Sequence, residues 1–134
     1  MGKQTWKFTV LCNQEKIQQL AELIGRKLGR KGYDMYRPQV LIIPSNQKKI
    51  HTVWKTIACA LENIFLAAHS FGIGSVWINQ LRTLCDDPEV RALLDEFEIP
   101  SDHVVYGMAA TREYTGRRRP KRKYHKIGEI RIIK

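Results

Sequence analysis

Between His51 and Phe71 the chain carries Trp54, Ile57, Ala58, Leu61, Ile64, Phe65, Ala68 and Phe71 at helical spacing, and Gly72 and Gly74 follow at once. Those apolar residues cover more than the single stripe of a surface helix, so the periodicity predicts a helix over 51–71 buried on most sides. Ala58, Ala60, Ala67 and Ala68 keep parts of its surface thin. A chain of 134 residues forms one domain, 1–134, around one core, and buries roughly two-thirds of its unfolded surface. With few other helices to cover it, such a helix points to association with a second copy. Glu62 and Asn63 interrupt the apolar run; as buried polar groups they need partners, expected across a helix interface. With His69 and Ser70 they also make the run a poor membrane span. His69, on an apolar helix, is expected to be an interior residue.

The flanking segments are simpler. Lys7 to Cys12 alternates apolar and polar like a strand. Asn13 is a plausible N-cap for an amphipathic helix from about Gln14 to Arg30, built on Ile17, Leu20, Ala21, Ile24 and Leu28 and stopped at Gly32. Pro38 makes 33–38 a loop, and Val40 to Ile43 is a continuous apolar strand. Ser45 to Lys49 reads as loop. Asp86-Asp87-Pro88 opens a third helix ending near Glu98, with acids and proline where a helix start favours them. Val104 to Ala109 and Ile127 to Ile133 complete the strands. The order β-α-β-α-α-β-β predicts an α/β or α+β sandwich.

Composition narrows the classes. With 43% apolar and 27% charged residues the chain is globular, and its start alternates like a strand with no secretory h-region, so a cytoplasmic protein is expected. Cys12, Cys59 and Cys85 match neither a disulfide framework nor zinc spacing and read as reduced, structural residues. His51, His69, His103 and His125 form no ligand pattern, so no metal site is expected. Arg117, Arg118, Arg119, Lys121, Arg122, Lys123 and Lys126, with no acid among them, supply most of the net charge of +10, in a basic loop over 117–126 before the last strand.

The glycines after the long helix leave two possibilities. Gly72 sits at a C-cap position and Gly74 is a second permissive one, so the chain either stops a helix and starts a short strand, or turns to lay exposed amides along a flat ligand. A dinucleotide fingerprint is excluded, because Trp77 stands where the third glycine belongs and the pair follows a helix.

Four blocks, "QTWKFTVLCNQEKIQQLAE" (4–22), "YRPQVLIIPSN" (36–46), "ACALENIFLAAHSFGIGSVWINQL" (58–81) and "IPSDHVVYGMAA" (99–110), resemble in order and approximate spacing the nitroreductase family of FMN-dependent oxidoreductases. The resemblance implies an α+β fold with a mixed sheet flanked by helices, and a homodimer around the long apolar helix with FMN at its interface. It implies that NAD(P)H reduces FMN, which then reduces a nitro compound, a quinone or another acceptor. It places the backbone of Trp77, Ile78 and Asn79 against the flavin, with an amide near Asn79 at the reactive edge. Gln4 corresponds to the glutamine of the family's Asn-x-Gln-x-Trp motif, and Lys121 and Lys123 to its basic phosphate ligands. No side chain is assigned as a catalytic acid or base.

The similarity starts downstream of the family's N-terminal segment, whose Arg-rich motif grips the FMN phosphate, and the motif's asparagine falls at Gly2. Flavin affinity is therefore expected to be weakened by ~2–5 kcal/mol if two charge-assisted contacts are missing. "MAATREYTG" (108–116) also replaces an Ala-Leu-Gly-Tyr-like turn. Two other readings stay open. One is a truncated nitroreductase-like dimer with weak or no flavin binding; the other is a nucleic-acid or anion binder using 117–126, whose cations would neutralise phosphates without reading sequence.

Overall fold

The computed structural model describes residues 4–113 and 131. The basic segment 117–126, with Lys121 and Lys123, lies outside the described residues, as does the strand expected over 127–133 apart from Arg131. In chain order the elements are β1 (Trp6–Leu11), α1 (Gln14–Lys27), β2 (Val40–Gln47), α2 (Val53–Ser70), β3 (Ile73–Ile78), a 3-10 turn (Gln80–Thr83), α3 (Pro88–Glu96), β4 (His103–Val104) and β5 (Met108–Glu113).

The strands form one sheet in the order β1-β2-β5-β3, with β4 pairing the far end of β2. Every pairing among the described residues is antiparallel. Alternation divides the sheet into two faces. Leu11, Leu41, Ile43, Ile78, Met108 and Ala110 join Leu20, Ile24, Val90 and Leu94 in a core beneath α1 and α3. On the opposite face Ala109 packs with Val53, Ile57 and Leu61 of α2. This is an α+β architecture with helices on both faces.

Local chemistry explains the helix starts. The Asn13 side chain accepts from the Lys16 N–H at 3.0 Å, and Asp87 caps the N–H groups of Glu89 and Val90 ahead of Pro88. Such caps contribute about 1 kcal/mol each. Lys27 then bridges α1 to α3 through Asp87 and Glu89, at 2.9 and 2.6 Å.

Several expectations need correction. α1 ends at Lys27 and is capped by Leu28 before Gly32 is reached. β2 runs on to Gln47, because β1 pairs with Ser45 and Asn46 and β4 with Asn46 and Gln47, and Ser45 and Asn46 are buried where a loop is expected. The strand expected over 104–109 divides at Val105–Gly107 into β4 and β5. The segment after the glycines is itself a strand, β3, paired with β5.

The largest correction concerns α2. Within one chain only Val53, Ile57, Leu61 and Ala68 of this helix are buried. The sheet covers one side of α2, and the other side faces outward with Trp54 at 53%, Leu66 at 60% and, just past its end, Phe71 at 79% exposure. Glu62, Asn63 and His69 are exposed rather than interior. No helix among the described residues is long and apolar enough to cross a membrane.

Candidate functional site

α2 feeds into β3 through Gly72, whose φ of +71° is a left-handed torsion that side chains resist. Its N–H donates to the His69 carbonyl at 3.0 Å, which closes the helix end. Gly74 does not share that torsion. It lies within β3, where an added Cβ would meet the Arg112 carbonyl oxygen at 3.3 Å, so the expectation that both glycines need special torsions holds for Gly72 alone.

β3 is the outermost strand of the sheet path and pairs only β5 among the described residues. Its alternation sends its last two side chains to opposite faces. Ile78 points into the α1/α3 core and at 1% exposure is closed off, backbone included. Trp77 turns to the α2 face, 41% exposed, its ring centroid 6.1 Å from that of Phe65 at an interplanar angle of 45°.

Beneath the indole is Gly107. A Cβ there would stand 2.3 Å from Trp77 Nε1, 2.7 Å from Cε2 and 3.0 Å from Leu61 Cδ1. Any side chain at 107 would therefore displace the ring. Gly107 is not among the residues that the sequence nominates; its signal is a lone glycine inside a strand-like run, which marks close approach of another group.

Directly after β3, the exposed Asn79 offers its N–H, which donates to the Gln80 side-chain carbonyl Oε1 at 2.9 Å. Two contacts hold this turn against the Gly107 segment. The Cys85 thiol donates to the Leu81 carbonyl at 3.0 Å while its sulfur accepts from the Val105 N–H at 3.3 Å. The Arg82 guanidinium lies 5.8 Å from the centre of the Tyr106 ring. Burial pushes the Cys85 thiol pKa up, so this cysteine is a buried structural group, as expected, whereas Cys12 and Cys59 are exposed.

Gln4 is exposed and precedes β1. The register Trp6 to Asn46, Asn46 to Val104 and Ile78 to Met108 puts the start of β1, the ends of β2 and β3 and the start of β5 at one end of the sheet. Gln4 and Asn79 both lie toward that end, but three strand spacings apart, about 14 Å. They are also offset along the strands, because the registers through Ala109, Ile42 and Val10 bring Asn79 level with Phe8 and leave Gln4 roughly 14 Å further on. Nearby, a groove of about 470 Å³ runs between β1 and α2, with Trp6, Phe8, Pro44, Ala60, Ile64 and Ala67 among its walls. Trp6 and Phe8 meet edge to face at 5.4 Å and are 45% and 42% exposed.

A half-exposed indole seated on glycine, next to the exposed Asn79, suits a flat ring with hydrogen-bond acceptors along its rim. Among the described residues no cluster of His, Cys, Asp and Glu could hold a metal ion. The model of the Nitroreductase family matches residues 1–111. The chain belongs to the nitroreductase family.

Among solved structures this family member is similar to a nitroreductase with bound FMN from Bacteroides fragilis, with 41% identity and a TM-score of 0.86 over 97% of this chain and 76% of that one. Two archaeal relatives carry the provisional name NADH dehydrogenase/NAD(P)H nitroreductase. The protein from Methanothermobacter thermautotrophicus is 29% identical over 78% of this chain, and that from Archaeoglobus fulgidus 28% identical over 81%. The nitroreductase-family chain spans only 52% and 61% of those two relatives' lengths.

Proposed function

We propose that this chain is an FMN-dependent oxidoreductase of the nitroreductase type, passing hydride from NAD(P)H through FMN to a nitro compound, a quinone or a similar acceptor. The observation that carries this reading is the half-exposed Trp77 indole seated on Gly107, near the exposed Asn79 at the end of β3. It stands in a chain 41% identical to a nitroreductase with bound FMN.

When bound, FMN supplies the redox chemistry, and the protein's part is binding, orientation and exclusion of water. Trp77 would offer an apolar surface and Asn79 its backbone, with the buried Ile78 between them fixing their positions. Gln4, at the same end of the sheet, would offer a carboxamide to the ring system. Lys121 and Lys123 would neutralise the phosphate. No protein acid or base is assigned, so the proton would come from solvent.

The same reading makes the protein a homodimer. Trp54, Leu66 and Phe71 on and beside α2, with Trp6 and Phe8 across the groove, form an apolar surface that a second copy would cover.

Titration of the purified protein with FMN, followed by flavin fluorescence, is expected to reach one FMN per chain. NAD(P)H consumption should then depend on both FMN and an added quinone. A protein that neither carries nor takes up FMN would leave a nitroreductase-like fold without this chemistry.

A further inference from the structure

The hydrogen bond between Asn79 N–H and Gln80 Oε1 bears on how the site admits a ligand, given the flavin reading proposed above. This amide is the donor expected at the reactive edge of the flavin. A backbone N–H carries one hydrogen, and here it is directed to Gln80 Oε1 at 2.9 Å. Ile78, the residue before it, is buried and ladder-paired to Met108, so the peptide plane cannot easily turn to offer the hydrogen elsewhere. The Leu81 carbonyl, one residue beyond Gln80, is tied down by the Cys85 thiol.

We propose that Gln80 is an affinity-setting residue that competes with the flat heterocycle for the Asn79 amide. Its carboxamide is the same kind of acceptor as the ring nitrogen and carbonyl of an oxidised flavin. Being attached one residue away, it acts at high effective concentration. A ligand must displace it, exchanging one neutral hydrogen bond for another with little net gain. Gln80 therefore favours ligands that also bind well elsewhere, through ring stacking and phosphate contacts, over loose aromatic compounds.

The test uses the full chain and three forms: wild type, Gln80→Ala and Gln80→Glu. Amide hydrogen exchange at Asn79, measured without flavin, reports the internal bond; FMN titration reports the competition. Asn79 exchange is expected to quicken in Gln80→Ala, while its FMN dissociation constant falls about threefold to tenfold, the worth of one neutral hydrogen bond. In Gln80→Glu the charged acceptor holds the amide more strongly, and FMN binding weakens. Equal exchange in wild type and Gln80→Ala, with normal FMN uptake, would remove Gln80 from the role and leave the flavin reading standing. An unchanged or raised FMN dissociation constant in Gln80→Ala would also overturn the competition. If exchange differs as expected but no form takes up FMN, the flavin reading itself fails and the competition falls with it.

Discussion

Gly107 and Trp77 are packed so closely that a Cβ on Gly107 would lie 2.3 Å from the indole nitrogen. Leu61 of α2 is also close, 3.0 Å from the same point. Gly107→Ala must therefore move the indole, the helix or both, and overpacking of this kind costs roughly 1–3 kcal/mol. The expected result is a lowered urea midpoint, an altered tryptophan emission and FMN binding weakened by at least about tenfold, equal to ~1.4 kcal/mol. Unaltered emission together with unaltered FMN affinity would show that the ring does not need this seat.

The two glycines after α2 are expected to differ in their tolerance. Gly72 holds φ +71°, so Gly72→Val strains the backbone by ~1–3 kcal/mol even though space for its Cβ is open. Gly74 is in ordinary strand geometry, and Gly74→Val adds a β-branched residue suited to a strand, with the Arg112 carbonyl as its one close neighbour at 3.3 Å. Thermal or urea unfolding should rank Gly72→Val as the more damaging. The opposite order would mean that the close backbone approach at Gly74 outweighs torsional strain at Gly72.

Stability should fall between neutral and mildly acidic pH through His103. Its Nδ1 is 3.0 Å from the buried Ser45 Oγ, and burial holds the imidazole pKa below its ordinary value, with Lys7 and Arg91 acting in the same sense and Asp102 against them. The folded protein then binds fewer protons than the unfolded chain. The stabilisation is fully present above the ordinary value of about 6.5 and is lost as pH falls through the lowered folded value. Urea midpoints at pH 7.5 and 5 should differ more in wild type than in His103→Gln. Equal differences would assign the acid sensitivity to other groups.

α2 provides a test of assembly that spares the single-chain fold. Ala67 is exposed in one chain, so Ala67→Asp leaves the core intact, but it would bury an unpaired charge if a second copy packs there. Sedimentation at micromolar concentration is expected to give twice the chain mass for wild type and one chain mass for the variant, with unchanged far-ultraviolet circular dichroism. A wild-type monomer would remove the homodimer from the proposal.

Phosphate binding can be tested without positional detail. Lys121→Ala with Lys123→Ala should raise the FMN dissociation constant more than about tenfold, corresponding to at least ~1.4 kcal/mol of lost phosphate interaction. Unchanged affinity would remove this pair from the proposed phosphate contacts.

The elements readable from sequence were those whose signals are local. Asn13 and Asp87 announce helix starts because a side chain three residues or fewer away satisfies the backbone, and the three-four spacing of Ile17, Leu20, Ala21 and Ile24 marks the buried side of α1. The same kind of signal, extended over four blocks, carried the family. The continuation of β2 through Ser45 and Asn46 was not legible, because its causes are the distant strands β1, which pairs both residues, and β4, which pairs Asn46 from the other side. For the same reason the apolar residues around Glu62 and Asn63 suggested that the pair is buried, whereas α2 has only one covered side within a chain.

At the site, the residues alone left a helix stop and a ligand-binding turn both open after Gly72, and it was the resemblance to the family that pointed to Trp77 to Asn79. Tertiary structure decided the rest. Strand pairing put β3 at the end of the sheet among the described residues, sent Trp77 to one face and Ile78 to the other, and brought Gly107 under a ring thirty residues earlier in the chain. It also showed the Asn79 hydrogen held by Gln80. A linear pattern reports each residue's own preference, while exposure and close approach depend on which distant backbone becomes its neighbour.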